Sequence, residues 1–331
     1  MIDPTAAADD ESKSRSSGAR ANARRRRREP GGMRRGSRAP TGLWGTLLDL
    51  AGAFEPMAFR RLGEEIDTCI DRIPAELNEY GYDRYGFDSE TFRRAALPVA
   101  LLYRRYFRVE TYDIDRVPPG RVMLVCNHAG QLPFDGMMLA MAMLLEAKPP
   151  RIARPMAEYW VSRLPWISTL AARMGSLVGT RENCIQMLEA GECVMVFPEG
   201  VRGMNKLYSR RYQLQRFGLG FLRLALSTQT PIVPVSLIGS EEQQPGLLNL
   251  EAIGRLLGAP ALPVTPTFPW LGPLGLLPLP VKYRIYFGEP LRFEGDASDE
   301  DAVIQRQVDV VRQSIEGMFE RGLRERAGVF R

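Results

Sequence analysis

From Leu43 to about Arg108 apolar residues recur at three- to four-residue steps. Leu47, Leu48, Ala51 and Phe54 form one such set, and Ala95, Val99, Leu102 and Tyr106 another, with a polar stretch, Asn78 to Ser89, between them. That period predicts helices. Beyond Arg108 the pattern changes. Short, nearly unbroken apolar runs at 122–126, 193–197 and 231–238, and a run with alternating polar residues at 281–287, have the length of strands, and helical periodicity fills the segments 136–147, 181–190 and 219–227. Strands alternating with helices predict an α/β fold with a largely parallel central sheet flanked by helices, because parallel strands are covered on both faces and lose their polar alternation. The chain closes on a helical repeat, Ile304, Val308, Val311, Ile315 and Met318, for which Ser298 is the expected N-cap and Asp299 to Asp301 the acidic first turn.

One segment fits neither period. Residues 256–281 carry no charge over 26 positions but hold seven prolines and three glycines. No helix survives that density of proline, so the segment is not expected to span a bilayer. Two readings stay open: a buried loop on the core, or a loop carrying Phe268, Trp270, Leu271, Leu274, Leu276 and Leu277 to a lipid interface.

Charge divides the chain of 331 residues unevenly. The net charge is +5, yet residues 1–40 hold 11 Lys+Arg against 5 acids, leaving 33 against 34 for the rest. The basicity therefore belongs to a tail, with Arg24 to Arg28 consecutive, and not to a nucleic-acid-binding surface. The tail is expected to be disordered for want of apolar residues, either solubilising the chain or lying against anionic lipid. The expected organisation is a basic tail at 1–40, a helical region with possible membrane contact at 41–110, and an α/β domain at 111–331. The four cysteines are scattered, with no CxxC pair, so a disulfide framework is disfavoured.

Histidine is scarcer still, and His128 is the sole one. It lies in Asn127-His128-Ala129-Gly130-Gln131-Leu132-Pro133-Phe134-Asp135, directly after a predicted strand, where open α/β sheets bind ligands. Asp135, seven residues on, is a candidate orienter for the imidazole. A second segment, Phe197-Pro198-Glu199-Gly200-Val201-Arg202, also follows a strand and presents an arginine suited to phosphate. No GxSxG elbow and no phosphate-binding glycine loop occurs.

Four blocks in order resemble those of the glycerolipid acyltransferase superfamily: Asn127-His128 with Asp135, Gly175-Ser176-Leu177-Val178 with Arg181, Phe197 to Arg202, and Ile232-Val233-Pro234-Val235. The usual four residues between histidine and aspartate are six here, which predicts a wider turn. The resemblance implies His128 as general base, Asp135 as its orienter, Arg181, Glu199, Gly200 and Arg202 as substrate-binding residues, and Asn127, Pro198 and Pro234 as structural neighbours. It implies no metal and no bound cofactor, an acyl-CoA or acyl-carrier protein as donor, and a glycerolipid acceptor such as lysophosphatidate or a lysophospholipid. A neutral-lipid acceptor and a non-catalytic lipid-binding role are the alternatives. The partner expected is a membrane surface, on its cytoplasmic face, with peripheral association.

Overall fold

The structure, a computed structural model, describes residues 56–73, 76–256, 258 and 261–331. The expected tail at 1–40 and the repeat from Leu47 to Phe54 lie outside these. Two helices come first, α1 (Pro56–Asp71) and α2 (Ser89–Leu101). The second is capped by Asp88, whose carboxylate accepts from the Glu90 and Thr91 N–H groups. The alternating region follows as β1 (Glu110–Tyr112), β2 (Val122–Cys126), α3 (Phe134–Leu145), β3 (Ala153–Ala157), α4 (Ile167–Arg173), β4 (Leu177–Val178), α5 (Arg181–Glu189) and β5 (Cys193–Val196). After it come α6 (Val201–Met204), α7 (Gly220–Thr228), β6 (Ile232–Ile238), α8 (Ser240–Gln243), the hairpin β7 (Leu248–Leu250) and β8 (Leu262–Val264) with α9 (Glu251–Leu256) between, β9 (Arg284–Phe287) and α10 (Asp301–Glu325).

Seven strands form one sheet in the order β1-β9-β6-β2-β5-β3-β4. The five strands from β6 to β4 are mutually parallel, with Leu124 opposite Met195 on one side and Val233 on the other. Antiparallel pairing of β9 with β6 reverses the last two strands, since β1 runs parallel to β9. The sheet is thus mostly parallel and covered on both faces. Leu124, Cys126, Met195, Val233 and Val235 pack with α1, α2 and α3; Met123, Val125, Val194 and Val196 pack with α5, α7 and α10. Residues such as Ile66, Phe92 and Ala96 of the first two helices belong to the same core as the sheet.

Several element boundaries differ from the periodic reading. Helix α3 starts at Phe134, two residues before the expected Gly136, so Asp135 sits in its first turn. Strands β1, β3 and β4 were not predicted. β3 reads Ala-Arg-Pro-Met-Ala, and its arginine, Arg154, is buried because Asp83 and Glu192 pair with it at 2.6 and 3.0 Å. Helix α10 starts at Asp301 behind Glu300; Ser298 instead turns back onto Asp296 Oδ1 through its N–H and hydroxyl. Phe319, not Met318, completes its buried face.

The uncharged segment divides between the two readings. Pro278 and Pro280 are buried and Phe268 and Leu276 half-buried, whereas Trp270, Leu271, Leu274 and Leu277 point outward. Among the described residues no helix is long and apolar enough to cross a membrane.

Candidate active site

β2, β3, β5 and β6 run in the same direction, so the connections leaving their carboxyl ends share one edge of the sheet. The connection after β2 is the histidine turn. Asn127 extends the ladder with its side chain: Nδ2 donates to the Leu237 carbonyl (3.1 Å) and Oδ1 accepts the Leu237 N–H (2.7 Å), fastening the turn to β6. The chain then swings wide through Gly130 (φ +95°) and Gln131 (φ +63°). The Gln131 N–H donates to the Met204 carbonyl at 3.2 Å, and the Gln243 amide donates to the carbonyls of Gly130 and Leu132 at 3.1 and 3.2 Å. The Tyr283 hydroxyl donates to Gln243 Oε1, fixing that amide's orientation.

The wide turn returns Asp135 beneath the imidazole. Asp135 Oδ2 is 2.7 Å from His128 Nδ1 and accepts the Ala129 N–H at 3.0 Å, while Oδ1 accepts the Gly136 N–H at 2.7 Å. Asp135 is fully buried, and 13% of the His128 side chain remains accessible. A carboxylate at Nδ1 keeps the neutral ring's proton there, so Nε2 carries the free lone pair. Nε2 has no hydrogen-bond partner among the described residues. Burial by itself lowers the imidazole's pKa, but the Asp135 carboxylate, with Glu199 and Glu158 behind it, outweighs burial and raises it above the ordinary value.

The connection after β5 supplies a second carboxylate, in a different role from the expected one. Glu199 is buried, not open to a substrate. Its Oε1 accepts the His128 N–H (2.9 Å) and its Oε2 the Gln215 N–H (2.7 Å), and Lys206 Nζ lies 3.8 Å from it. It does not pair with Arg202. It holds the backbone of the histidine in place, so it is a positioning group. Lys206, itself buried, is neutralised chiefly by Glu241 at 2.8 Å. The Phe197 ring lies 4.4 Å from the imidazole, centroid to centroid, and fixes its tilt. Gly203 has no room for a side chain, since a Cβ there would fall 2.8 Å from the His128 carbonyl oxygen.

Gly200 (φ +56°) follows the Phe197-Pro198 turn, and a Cβ on it would come within 2.8 Å of Glu158 Oε1, at the end of β3. Pro198 accepts the Gly218 N–H. Pro234, without an N–H, is paired with Val125 in β6 and accepts from Gly288 just past the end of the β9 ladder. Arg181, the first residue of α5, and Arg202, in α6, are both exposed, with no hydrogen bond or ion pair to their guanidinium groups among the described residues. His128, Asp135, Glu199, Gly200 and Phe197 are thus brought together, while the two arginines stand at the surface. Lys206, Glu158 and Gln243 escaped the sequence reading. Lys206 lies four residues past the block ending at Arg202, but Glu158 falls between blocks and Gln243 is more than a hundred residues from the turn it clamps. Among the described residues no group of His, Cys, Asp and Glu is placed to hold a metal ion. A buried base with a fixed lone pair and a carboxylate to stabilise its protonated form is equipped to take a proton from a hydroxyl.

Comparison with known proteins agrees with that chemistry. The profile of the family described as Acyltransferase matches residues 108–238, from β1 through β6. An uncharacterized protein of Mycobacterium tuberculosis is 40% identical over 258 residues, covering 76% of this chain and 72% of that one. A protein of Gallus gallus named DGAT1/2-independent enzyme synthesizing storage lipids is 26% identical over 225 residues, 66% of this chain and 64% of that one. A solved structure, the 1-acyl-sn-glycerophosphate acyltransferase PlsC of Thermotoga maritima, matches with a TM-score of 0.46 and 16% identity over 86% of this chain and 90% of that one. With the ordered blocks and the histidine at the carboxyl edge of the sheet, the Acyltransferase profile and the sequence relatives show that the chain belongs to the glycerolipid acyltransferase superfamily.

Proposed function

We propose that the protein transfers a fatty acyl group from an acyl thioester, an acyl-CoA or acyl-carrier protein, to the hydroxyl of a glycerolipid held at the edge of a membrane. The observation carrying this reading is the 2.7 Å contact of His128 Nδ1 with Asp135, which leaves Nε2 as a base at the open edge of the sheet. Nε2 takes the proton of the acceptor hydroxyl as its oxygen attacks the thioester carbonyl. The imidazolium so formed is held by Asp135. Free N–H groups at the start of α6, just past Gly200, are suited to the oxyanion of the tetrahedral intermediate. Collapse of that intermediate breaks the C–S bond, and the departing thiolate recovers the proton from Nε2. The ester and a free thiol are the products.

Lysophosphatidate or another lysophospholipid is the acceptor favoured by the free guanidinium groups of Arg181 and Arg202, which suit a phosphate. A neutral acceptor, such as a diacylglycerol, is favoured instead by the similarity to the storage-lipid enzymes. The deciding experiment is a panel of lysophosphatidate, lysophospholipids and mono- and diacylglycerol with labelled acyl-CoA. Product formation on any of them, lost in His128→Ala, is expected; undiminished turnover by that variant overturns the mechanism. Arg202→Ala should raise KM for a phosphorylated acceptor, and an unchanged KM removes the phosphate role.

A further inference from the structure

The catalytic edge of the sheet is also where apolar side chains are left uncovered. Of the 18 exposed large hydrophobic residues among those described, 12 fall in two connections, the one after β3 and the one after β6. The first carries Trp166, 87% exposed, with Ile167 and Leu170; the second carries Trp270, Leu271 and Leu274 among others. The connections abut, since a Cβ on Gly258 would touch Leu164 at 4.0 Å. The second is also tied to the connection after β5, through the Tyr208 N–H to the Gly246 carbonyl and Asn249 to the Asn205 carbonyl.

Past the buried Glu199, that third connection brings charge of one sign. From Gly200 to Ser240 there are six Lys and Arg and no Asp or Glu. Arg202, Arg210 and Arg216 are exposed, and their guanidinium groups have no partner among the described residues. Elsewhere on the surface arginines are commonly matched, as in Arg60–Glu64, Arg93–Asp67, Arg312–Glu316 and Arg321–Glu325. Unmatched cations beside uncovered tryptophans, on one edge, fit the interface of a bilayer, where indole rings sit at headgroup depth and anionic lipids supply the missing charge.

We infer that the connections after β3, β5 and β6 form a docking face for an anionic lipid surface, seating the edge of the sheet that carries His128 against the bilayer. The inference rests on the acyl-transfer reading for its purpose, and names the surface from which the acceptor is taken. No spanning segment is needed, because a glycerol hydroxyl at headgroup depth is presented directly to the edge where Nε2 lies.

The test is flotation of the full chain with vesicles of phosphatidylcholine alone and of phosphatidylcholine with phosphatidylglycerol, alongside turnover of water-soluble short-chain substrates. Wild type should bind the anionic vesicles more tightly. Trp166→Ser/Trp270→Ser should weaken binding to both vesicle types by about tenfold or more. Arg210→Glu/Arg216→Glu should weaken binding to the anionic vesicles alone, by about fivefold or more for each cation lost. Short-chain turnover and melting temperature should be unchanged in both variants. Undiminished flotation of the tryptophan variant overturns the face, and undiminished flotation of the arginine variant overturns its preference for anionic lipid. Absence of short-chain turnover in wild type would count against acyl transfer while leaving the vesicle result standing.

Discussion

His128 Nδ1 and Asp135 Oδ2 stand 2.7 Å apart although six residues separate them in the chain. The extra length is taken up by two consecutive left-handed residues, Gly130 and Gln131, which push the turn outward before Pro133 leads into α3. The excursion is fastened from outside by Gln243 and Met204. Two residues are thereby added between base and carboxylate without lengthening their hydrogen bond. The six-residue spacing is met by a wider loop that still brings the carboxylate to the imidazole.

Asp135→Asn keeps the size of the side chain and removes its charge. Burial then acts on His128 with less opposition, so its pKa falls from the raised value. The ring must be neutral to accept a proton, so activity rises with pH through that pKa. The acidic limb of the kcat/KM profile should lie above about 6.5 in wild type and move to lower pH in the variant. The plateau should drop by roughly 10²-fold or more, because the imidazolium loses its counter-charge. A limb that stays in place would mean that another group sets it.

Gly130→Ala tests the wide turn itself. The residue sits at φ +95°, and a Cβ there would lie 2.5 Å from the Ser240 carbonyl oxygen, which is backbone and cannot rotate away. Strain and overpacking together should cost about 2–4 kcal/mol. The expected result is a lower melting temperature and a kcat reduced more than KM is raised, since the base is displaced from Asp135. Steady-state kinetics at the temperature where both proteins remain folded provide the check.

Much of this site was legible because its parts are local. The strand at 122–126 is bounded as the apolar run predicts, and the residues that follow it are placed by the end of the strand. The same logic located Glu199 after β5 but not its role, which depends on the His128 and Gln215 N–H groups meeting it across the fold. β3 escaped because Arg154 and Pro155 interrupt its apolar pattern, and only Asp83 and Glu192, both distant in sequence, explain how an arginine is buried there. Gln243 and Tyr283 hold the turn from more than a hundred residues away, and although Tyr283 falls in the predicted strand at 281–287, nothing local shows that either reaches the turn.

Asn127→Ala should separate structure from chemistry. Its amide makes two hydrogen bonds to Leu237 in a fully buried position. Truncation leaves the Leu237 N–H without a partner and its carbonyl with the Ser240 hydroxyl alone, at a cost of about 1–3 kcal/mol. Chemical denaturation should show that loss, while the acidic limb of the pH profile stays where it is, because neither Asp135 nor Glu199 is altered. A shifted limb would assign Asn127 an electrostatic role as well.

Lys206→Met removes the cation between two buried carboxylates, Glu199 and Glu241. Glu241 is already pushed up to about 7, by burial first, with Lys206 opposing the rise. Without Lys206 it should rise further. A carboxyl that holds its proton more tightly folded than unfolded stabilises the protein at low pH, and that contribution fades as pH climbs from its unfolded value through its folded one. In wild type the window closes near 7; in the variant it should extend above. The deficit in unfolding free energy should therefore be small at pH 6 and grow toward pH 8.5, reaching the roughly 3–5 kcal/mol typical of a broken buried pair. Because Glu199 also holds the His128 N–H, kcat should fall as well. A deficit independent of pH would show that the lysine acts by packing alone.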